Sequence, residues 1–420
     1  MQIVSLRASR KVNRSSLDSV EGGHARPCRD SRLHTYLPTN QIMRGRIRMY
    51  RCVMLVVLMA AASLAFLQHR GGGSGARFWS SSLSAASKRG LDEVSLGAPM
   101  GRPGSGEYVT AGGAVKITST VSALADPTSE VDRLVSLIDD NKGVLLTSSY
   151  EFPGRYARWT VGFVAPALQI EGRGLDFKIQ ALNDRGAVIA AIIRQRLEGE
   201  AGLFKLKPQA GSADVEGSVV PSSQYFPEEE RSKQPSIFSL IRIVKDLFYS
   251  PDIPQLGLYG ALGYDVTFQF EPIELRKTRP DDQRDVIMYL PDEIYVVDNQ
   301  RKDSWKMQYE FSDLRSGAST KGLARAAAAA PYSAADPHTS FTPRDIPKGR
   351  YAQDVVVSKE EFRVGNLFEV VLSQAFRERL AGRPSDTFRR LCRRNPSPYG
   401  FFMNLGRLRT PSSSSSSSSS

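Results

Sequence analysis

Cysteine is nearly absent from this sequence, which contains only three in 420 residues. Cys28, Cys52 and Cys392 stand far apart, so they form no CxxC pair, no zinc-finger spacing and no disulfide framework. The stability of the fold must therefore come from a hydrophobic core. Hydrophobic residues make up 41% of the chain, which is enough to build a sizeable one.

Histidine is equally scarce. Three of the four histidines (His24, His34 and His69) precede residue 70, and His338 lies in a stretch rich in Pro and Ala. Histidine is the usual general base and a frequent metal ligand. The sequence therefore predicts no His-based catalytic triad and no His metal site in the folded part.

Acidic residues are few near the N-terminus, where residues 1–91 hold fifteen Lys or Arg against Asp18, Glu21 and Asp30. This segment accounts for the whole formal net charge of +12, because residues 92–420 carry 41 residues of each sign. A protein whose folded part is neutral has no bulk electrostatic reason to bind polyanions. We expect no nucleic-acid partner.

The hydrophobic run at residues 52–67 is sixteen residues long, which is short for a membrane-spanning helix of about 20 residues. Arginines precede it and small residues end it, so it predicts a signal peptide over 43–65 and no permanent membrane span. Residues 66–91 are rich in Ser and Arg and contain no acid, as in a transit peptide. With both parts, the segment 1–91 resembles the two-part presequence of algae with secondary plastids. It therefore predicts a plastid protein. The alternative is an uncleaved anchor that makes the chain a membrane protein.

Apolar and β-branched segments dominate residues 92–316 and predict mostly strands. Two helices interrupt them: one opens at Ser129 with Asp132 completing a capping box, and one covers 237–248. A strand and a turn are predicted over 107–127, and the other predicted strands are 143–149, 155–165, 175–182, 187–193, 256–266, 286–290, 293–298 and 305–311.

A linker is predicted over residues 317–349, where closely spaced prolines prevent continuous secondary structure. A second unit over 350–406 is predicted to contain a helix, a strand at 368–376, a second helix at 384–394 and a strand at 400–405. Residues 407–420 end in nine serines that bury nothing, so they predict an unstructured, non-homologous tail.

Three groups of residues could in principle carry chemistry, but each has a simpler structural interpretation. Gly257, Gly260 and Gly263 lack the spacing of a dinucleotide or phosphate loop and predict close backbone approach or a bulge. The acids of RPDDQRD and LPDEI could hold a divalent cation, although solvated turns are the preferred interpretation. Arg389, Arg390, Arg393 and Arg394 predict an amphipathic helix with a basic outer face.

Several longer strings identify a family. LLTSSYEFPGRYARW, LGLYGALGYDVTFQFEPIEL, RPDDQRDVIMYLPDEIYVVD and NPSPYGFFMNLG occur in this order and together resemble the large subunit of anthranilate synthase. The form that is fused to a glutamine amidotransferase is the most similar. The resemblance implies an α+β fold of two packed antiparallel β-sheets with outer helices, here truncated.

The resemblance also implies an activity, in which the intact enzymes convert chorismate and ammonia from glutamine into anthranilate and pyruvate with Mg²⁺. In the family, the catalytic residues and the Mg²⁺ ligands follow the NPSPY segment, so no position of this chain inherits them. We therefore expect an N-terminal fragment, inactive alone, whose partner is a glutamine amidotransferase subunit or fused domain.

The family's feedback site for L-tryptophan has counterparts in this chain. The serine of the family's LLES motif corresponds to Ser148, and the NPSPYM segment supplies Pro398, Tyr399 and, in place of Met, Gly400. Thr147 replaces the Glu of LLES, which removes a carboxylate. The resemblance thus implies an effector site whose strength is open.

Two other functions remain open. Aminodeoxychorismate or isochorismate synthesis belongs to the same superfamily, although the YEFPGRYARW and RPDDQRD strings favour anthranilate synthase. A non-catalytic tryptophan-binding regulatory module belongs to a different class.

Overall fold

The structure is a computed structural model that describes residues 102–148, 158–209, 211–224, 226–271, 273–275, 278–280, 282–326, 332, 340–380 and 382–406. The chain divides into two compact units, and their described residues are 102–334 with 380–406 in the larger and 340–379 in the smaller. The predicted presequence and the serine tail lie outside the described residues.

The larger unit is dominated by strands. They are β1 (Gly106–Val109), β2 (Val115–Ala123), β3 (Gly143–Thr147), β4 (Trp159–Val164), β5 (Leu168–Arg173), β6 (Asp176–Ala181), β7 (Phe204–Leu206), β8 (Val215–Val219), β9 (Tyr259–Leu262), β10 (Val286–Leu290), β11 (Glu293–Asp298), β12 (Asp303–Asp313) and β13 (Gly400–Asn404).

These strands form two antiparallel sheets. The large sheet has the order β1-β2-β12-β11-β4-β3-β13, and the small sheet has the order β7-β8-β6-β5-β10-β9. Their buried faces share one core, in which Ile117 and Trp305 of the large sheet and Ile170 and Ile179 of the small sheet are fully buried. The prediction of an α+β fold built on two packed antiparallel sheets is confirmed.

The first helix, α1 (Pro127–Ile138), begins earlier than predicted. The Asp126 carboxylate accepts hydrogen bonds from the backbone N–H groups of Thr128 and Ser129, at 3.0 and 3.1 Å. The prediction that Ser129 opens the helix with Asp132 is therefore wrong. A strong N-cap followed by proline at the first helical position overrides the later capping box.

Helix α2 (Asp184–Glu198) replaces the predicted strand at 187–193. The Asn183 side chain caps it by accepting from the Gly186 N–H at 2.9 Å, and Ile189 and Ile193 lie fully buried one helical turn apart. The strand prediction is wrong because a short, continuous apolar run does not distinguish a strand from a buried helix.

Helix α3 (Ile237–Phe248) buries the face that its sequence periodicity predicts, with Leu240 and Val244 fully covered. The close approach predicted for the spaced glycines is confirmed at Gly260 on β9. A Cβ atom there would lie 2.0 Å from the Ile287 carbonyl oxygen of β10.

The smaller unit contains α4 (Arg350–Arg363), as predicted, but not the predicted strand at 368–376. That segment makes only an isolated bridge between Arg344 and Phe376, and Phe368 is 94% exposed. The described part of this unit offers no neighbouring strand on which the segment would form a stable ladder.

After this unit, α5 (Pro384–Arg394) and β13 return the chain to the large sheet, as predicted. The Arg389 guanidinium donates to the Asp132 carboxylate and to the Ser136 hydroxyl, each at 2.6 Å. It therefore fastens α5 to α1. Phe388 stacks on Phe402 of β13 with ring centroids 5.0 Å apart.

The beginning of the predicted linker is attached to β12 of the large sheet, where the Thr320 N–H donates to the Phe311 carbonyl at 2.9 Å, and to Arg185 of α2. Thr320 is fully buried, and its carbonyl oxygen and that of Leu323 accept hydrogen bonds from Arg185, at 2.8 and 3.1 Å. The domain boundaries at 92–316, 317–349 and 350–406 stay predictions.

The described helices include none with the length and hydrophobicity needed to cross a membrane. The hydrophobic run at 52–67 lies outside the described residues.

Candidate functional site

The four residues expected to bind an effector meet at one end of the β3–β13 pair. The ladder runs from Asn404 opposite Gly143 to Gly400 opposite Thr147. Ser148 directly follows Thr147 and Tyr399 directly precedes Gly400, so both lie just beyond this end of the ladder. Segments more than 240 positions apart in the sequence are thus neighbours at this end of the large sheet.

Ser148 lies on the face of β3 that looks into the space between the sheets. Its side chain follows the strand alternation of Val144 and Leu146, and both of these pack in the cluster between the sheets. The Ser148 hydroxyl oxygen is buried and has no hydrogen-bond partner among the described residues. A buried hydroxyl without a partner costs about 1–3 kcal/mol, so this position favours a ligand group that restores the bond.

An apolar cluster of aromatic rings from both sheets lies further along this face of β3, where Phe163 pairs with Val144. Phe163 of β4 contacts Tyr259 and Tyr289 edge-on, with ring centroids 5.6 and 6.1 Å apart. Burial raises the pKa of both tyrosine hydroxyls well above the ordinary value. This cluster therefore stays uncharged, and it forms packed core toward the end of β3 that is remote from Ser148.

The segment before β13 forms the other side of the site. Tyr399 is 61% exposed, whereas Pro398 and Gly400 are half-buried. A Cβ atom on Gly400 would lie 3.3 Å from Cγ2 of Thr147, so a larger residue would press on the neighbouring strand.

Thr147 faces away from the side of the sheet that carries Ser148. Its Oγ1 lies 3.0 Å from Oγ1 of Thr160 on β4, and strand alternation puts both on the α1 side. The replacement of Glu by Thr at this position therefore changes the opposite face of the sheet.

Two of the acids considered as cation ligands, Asp285 and Asp292, are buried. The interpretation as solvated turns is therefore wrong for these two. Asp285 is 1% exposed, accepts from the Gly174 N–H at 2.7 Å and pairs with Arg279. Asp292 is 2% exposed and pairs with Arg185. Burial raises the pKa of Asp292, although the adjacent guanidinium opposes this. No sequence spacing points to these distant partners.

Among the residues the structure describes, no three His, Cys, Asp or Glu side chains come together as a metal site. The described part of the chain therefore does not offer a ligand set for the Mg²⁺ that the resemblance implies.

A separate cleft of about 340 Å³ joins two of the sequence motifs. Arg279 of RPDDQRD bridges Asp285 and Asp265 of LGLYGALGYD, the latter at 3.0 Å, and Phe268 lines the apolar side. Its lining does not include any of the four predicted effector residues.

Sequence reasoning did not find a polar network at the other end of β13. Lys142 donates to the Gln169 side chain at 2.7 Å, and Glu171 pairs with Arg284 at 3.3 Å. Burial, with help from Arg284, lowers the pKa of Lys142 although Glu171 opposes it. These residues come from separate segments, and only the tertiary fold brings them together.

Comparison of the sequence with known proteins indicates a family for this chain. The chorismate binding enzyme family matches residues 212–417. Anthranilate synthase of Azospirillum brasilense is 43% identical over 296 residues, covering 70% of this chain and 39% of that protein.

More distant relatives give the same indication. Anthranilate synthase component 1 of Vibrio parahaemolyticus is 25% identical over 296 residues, covering 68% of this chain and 53% of that protein. The corresponding protein of Streptomyces coelicolor is 27% identical over 175 residues, covering 37% of this chain and 34% of that protein. The chain spans from about a third to about half of the length of these three relatives.

The family match covers strands of both sheets, from β8 in the small sheet to β13 in the large one. The chain belongs to the anthranilate synthase large-subunit family of chorismate-binding enzymes.

Proposed function

We propose that this chain is the tryptophan-sensing part of an anthranilate synthase, which converts chorismate and ammonia into anthranilate and pyruvate. The 43% identity to the Azospirillum enzyme supports the activity. The chain spans 39% of that relative, so the reaction belongs to the whole enzyme.

The observation that carries the effector proposal is the buried Ser148 hydroxyl without a partner among the described residues. Ser148 directly follows Thr147, whose ladder partner Gly400 directly follows Tyr399, so Ser148 and Tyr399 lie at the same end of the strand pair. The exposed ring of Tyr399 suits an indole ring, whereas the Ser148 hydroxyl and strand-end backbone groups suit an amino-acid ammonium or carboxylate.

Calorimetric titration of the full chain with L-tryptophan tests this proposal. We expect binding, and we expect Ser148→Ala to weaken it at least about tenfold, because a hydrogen bond to a charged group contributes about 1.5–3 kcal/mol. Ser119→Ala is the matched control: Ser119 is also buried in the large sheet, with a hydroxyl that lacks a partner among the described residues, but it lies on β2. Equal binding by all three proteins would contradict the proposed site.

The catalytic part of the proposal concerns a longer protein that includes Mg²⁺ and a glutamine amidotransferase subunit or domain as ammonia source. The described residues offer no ligand set for that ion, so we assign none of them a catalytic step through it. We expect no anthranilate fluorescence from the chain with chorismate, ammonium and Mg²⁺. Turnover above the no-enzyme rate would show that the chain contains a complete active site.

We also propose import into a plastid through residues 1–91. The acid-poor composition after the hydrophobic run supports this address over a permanent anchor. A fluorescent fusion of 1–105 should enter plastids in an alga with secondary plastids, and deletion of 66–91 should leave it in the secretory system. Retention in the endoplasmic reticulum membrane by both fusions would favour the signal anchor.

A further inference from the structure

The strand that carries one side of the proposed effector site is an edge strand, which Phe388 contacts by stacking on Phe402 and whose Asn404 side chain donates to the Ile138 carbonyl at 2.9 Å. Among the described residues, β13 has a ladder partner on one edge only, β3. An edge strand held on one side needs other contacts to fix its position. The contacts at the end of β13 remote from Ser148 supply them.

Three successive backbone carbonyl groups at that end accept hydrogen bonds from side chains near β10 in the small sheet. The Tyr289 hydroxyl donates to the Asn404 carbonyl at 3.1 Å. Arg284 donates through Nη1 to the Leu405 carbonyl at 3.0 Å and through Nη2 to the Gly406 carbonyl at 3.2 Å. One guanidinium therefore holds two consecutive peptide groups.

Arg284 is itself fixed in place. It is 19% exposed and forms an ion pair with Glu171 of β5 at 3.3 Å. Glu171 accepts from the side chain of Gln169, which in turn accepts from Lys142 at 2.7 Å. The planar guanidinium donates in fixed directions, so this network sets where the Leu405 and Gly406 carbonyls lie.

Gly406 suits this arrangement because glycine adopts positive φ angles at little cost. Its φ of +67° lies in the left-handed region, and a Cβ atom would lie 2.8 Å from Cε of Lys142. The backbone therefore passes close over the network and presents its carbonyl to Arg284.

From these contacts we infer that Arg284 is a positioning residue for the effector site. It pins one end of a five-residue strand whose other end is preceded in the chain by Tyr399 and Pro398. A paired strand of this length spans about 17 Å and moves largely as a unit. Release of Leu405 and Gly406 would therefore loosen the side of the site that faces Ser148. The identity of the effector rests on the proposed function, whereas the positioning of β13 does not.

The first experiment needs no ligand. Hydrogen exchange of the full chain should show amides of 401–404 exchanging about tenfold or more faster in Arg284→Met, because local opening of an edge element costs less without its anchors. Amides of β5 and β6 serve as internal reference for global unfolding. Arg196→Met, which removes a surface ion pair with Glu200, is the matched control.

Arg284→Lys separates position from charge. Lysine keeps a positive charge beside Glu171 but lacks the planar fork that reaches two carbonyls. We expect Arg284→Lys to accelerate exchange in 401–404 and to weaken tryptophan binding about tenfold, a typical size for coupling between sites, with an unchanged melting temperature. If Arg284→Lys matched the unmodified chain in both amide exchange and tryptophan binding, only the positive charge would matter. That result would overturn the inference.

The outcomes distinguish the two proposals. Unchanged exchange of 401–404 in both Arg284 variants overturns the positioning role, whatever tryptophan does. Faster exchange in the variants, together with no tryptophan binding by the unmodified chain, supports the positioning role and contradicts the proposed effector. Tryptophan binding that is equal in all proteins overturns the link between Arg284 and the effector site.

Discussion

At the scale of single residues, the molecule depends on charged groups buried far from water. Arg185 is the clearest: it is fully buried, pairs with Asp292 and with Glu310 at 2.9 Å, and donates to the Tyr309 carbonyl at 2.7 Å. A buried charge is tolerated only when it is paired and its hydrogen bonds are made. Arg185 meets both conditions with groups from separate segments.

Removal of Arg185 should therefore be severe. We expect Arg185→Met to lower the free energy of unfolding by about 3–5 kcal/mol, because it leaves the Asp292 carboxylate buried without this partner. Urea denaturation at pH 7 measures the loss. Arg194→Met, in the same helix with an exposed Glu198 partner, should change stability by less than about 1 kcal/mol. Similar losses in both variants would contradict a special role for burial.

Asp298 is another buried charge that is paired and hydrogen-bonded. It makes the free energy of unfolding depend on pH. Burial alone would raise its pKa, but hydrogen bonds from Arg158 and from the N–H groups of Gln300 and Arg301 hold the pKa below the ordinary value. The folded state therefore binds this proton less readily than the unfolded state. The stability that the Asp298 carboxylate contributes is fully present above pH 3.8, the ordinary pKa of the group. This stability is lost as the pH falls through the lower pKa that Asp298 has in the folded state.

We accordingly expect Asp298→Asn to be less stable than the unmodified chain at pH 7 and to lose less further stability on acidification. Urea denaturation midpoints at pH 7, 5 and 3 show how steeply the stability of each protein falls with pH. Asp246→Asn, at an exposed position of α3, is the control. A variant whose stability falls as steeply as that of the unmodified chain would refute the assignment to Asp298.

At the scale of elements, the sequence predicts well where local periodicity and tertiary packing agree. Helix α3 and β10 to β12 are found as predicted because their apolar spacing matches their buried faces. Helix α2 is missed because its apolar run is continuous, and the Asn183 cap that decides the matter is a weak local signal. The family resemblance identifies Ser148, whereas Arg284 depends on a contact across 121 positions that no local pattern reveals.

The glycine motif of β9 offers a test of element packing. Gly260→Ala should cost about 1–3 kcal/mol, because its Cβ would collide with the backbone of β10. Gly257→Ala should stay within about 0.5 kcal/mol, since no described atom lies within 4 Å of its Cβ position. Thermal denaturation of both variants measures the difference, and equal costs would contradict the packing explanation.

At the scale of the whole molecule, both sheets end on neighbouring open edges within the described residues. β13 ends the large sheet and β9 ends the small one, and their side chains meet in one cluster. Phe401 on β13 is 52% exposed. Unpaired strand edges beside exposed apolar side chains promote association.

We therefore expect the purified full chain to associate with rising concentration, as light scattering would show. Phe401→Lys should reduce this association, because a charge on an edge strand opposes pairing. Leu314→Lys, at a similarly exposed position after β12, should not. Equal effects of both substitutions would assign the association to general hydrophobicity.

The pairing of β3 with β13 also has a consequence for biosynthesis. Gly400 pairs with Thr147 across roughly 250 intervening residues, a loop whose closure costs entropy, and a chain emerges from the ribosome from its N-terminus onward. The residues that build the shared core are all synthesised before β13 exists. The strands of the shared core are therefore available to pair before the β3–β13 ladder, which carries the proposed effector site, can form.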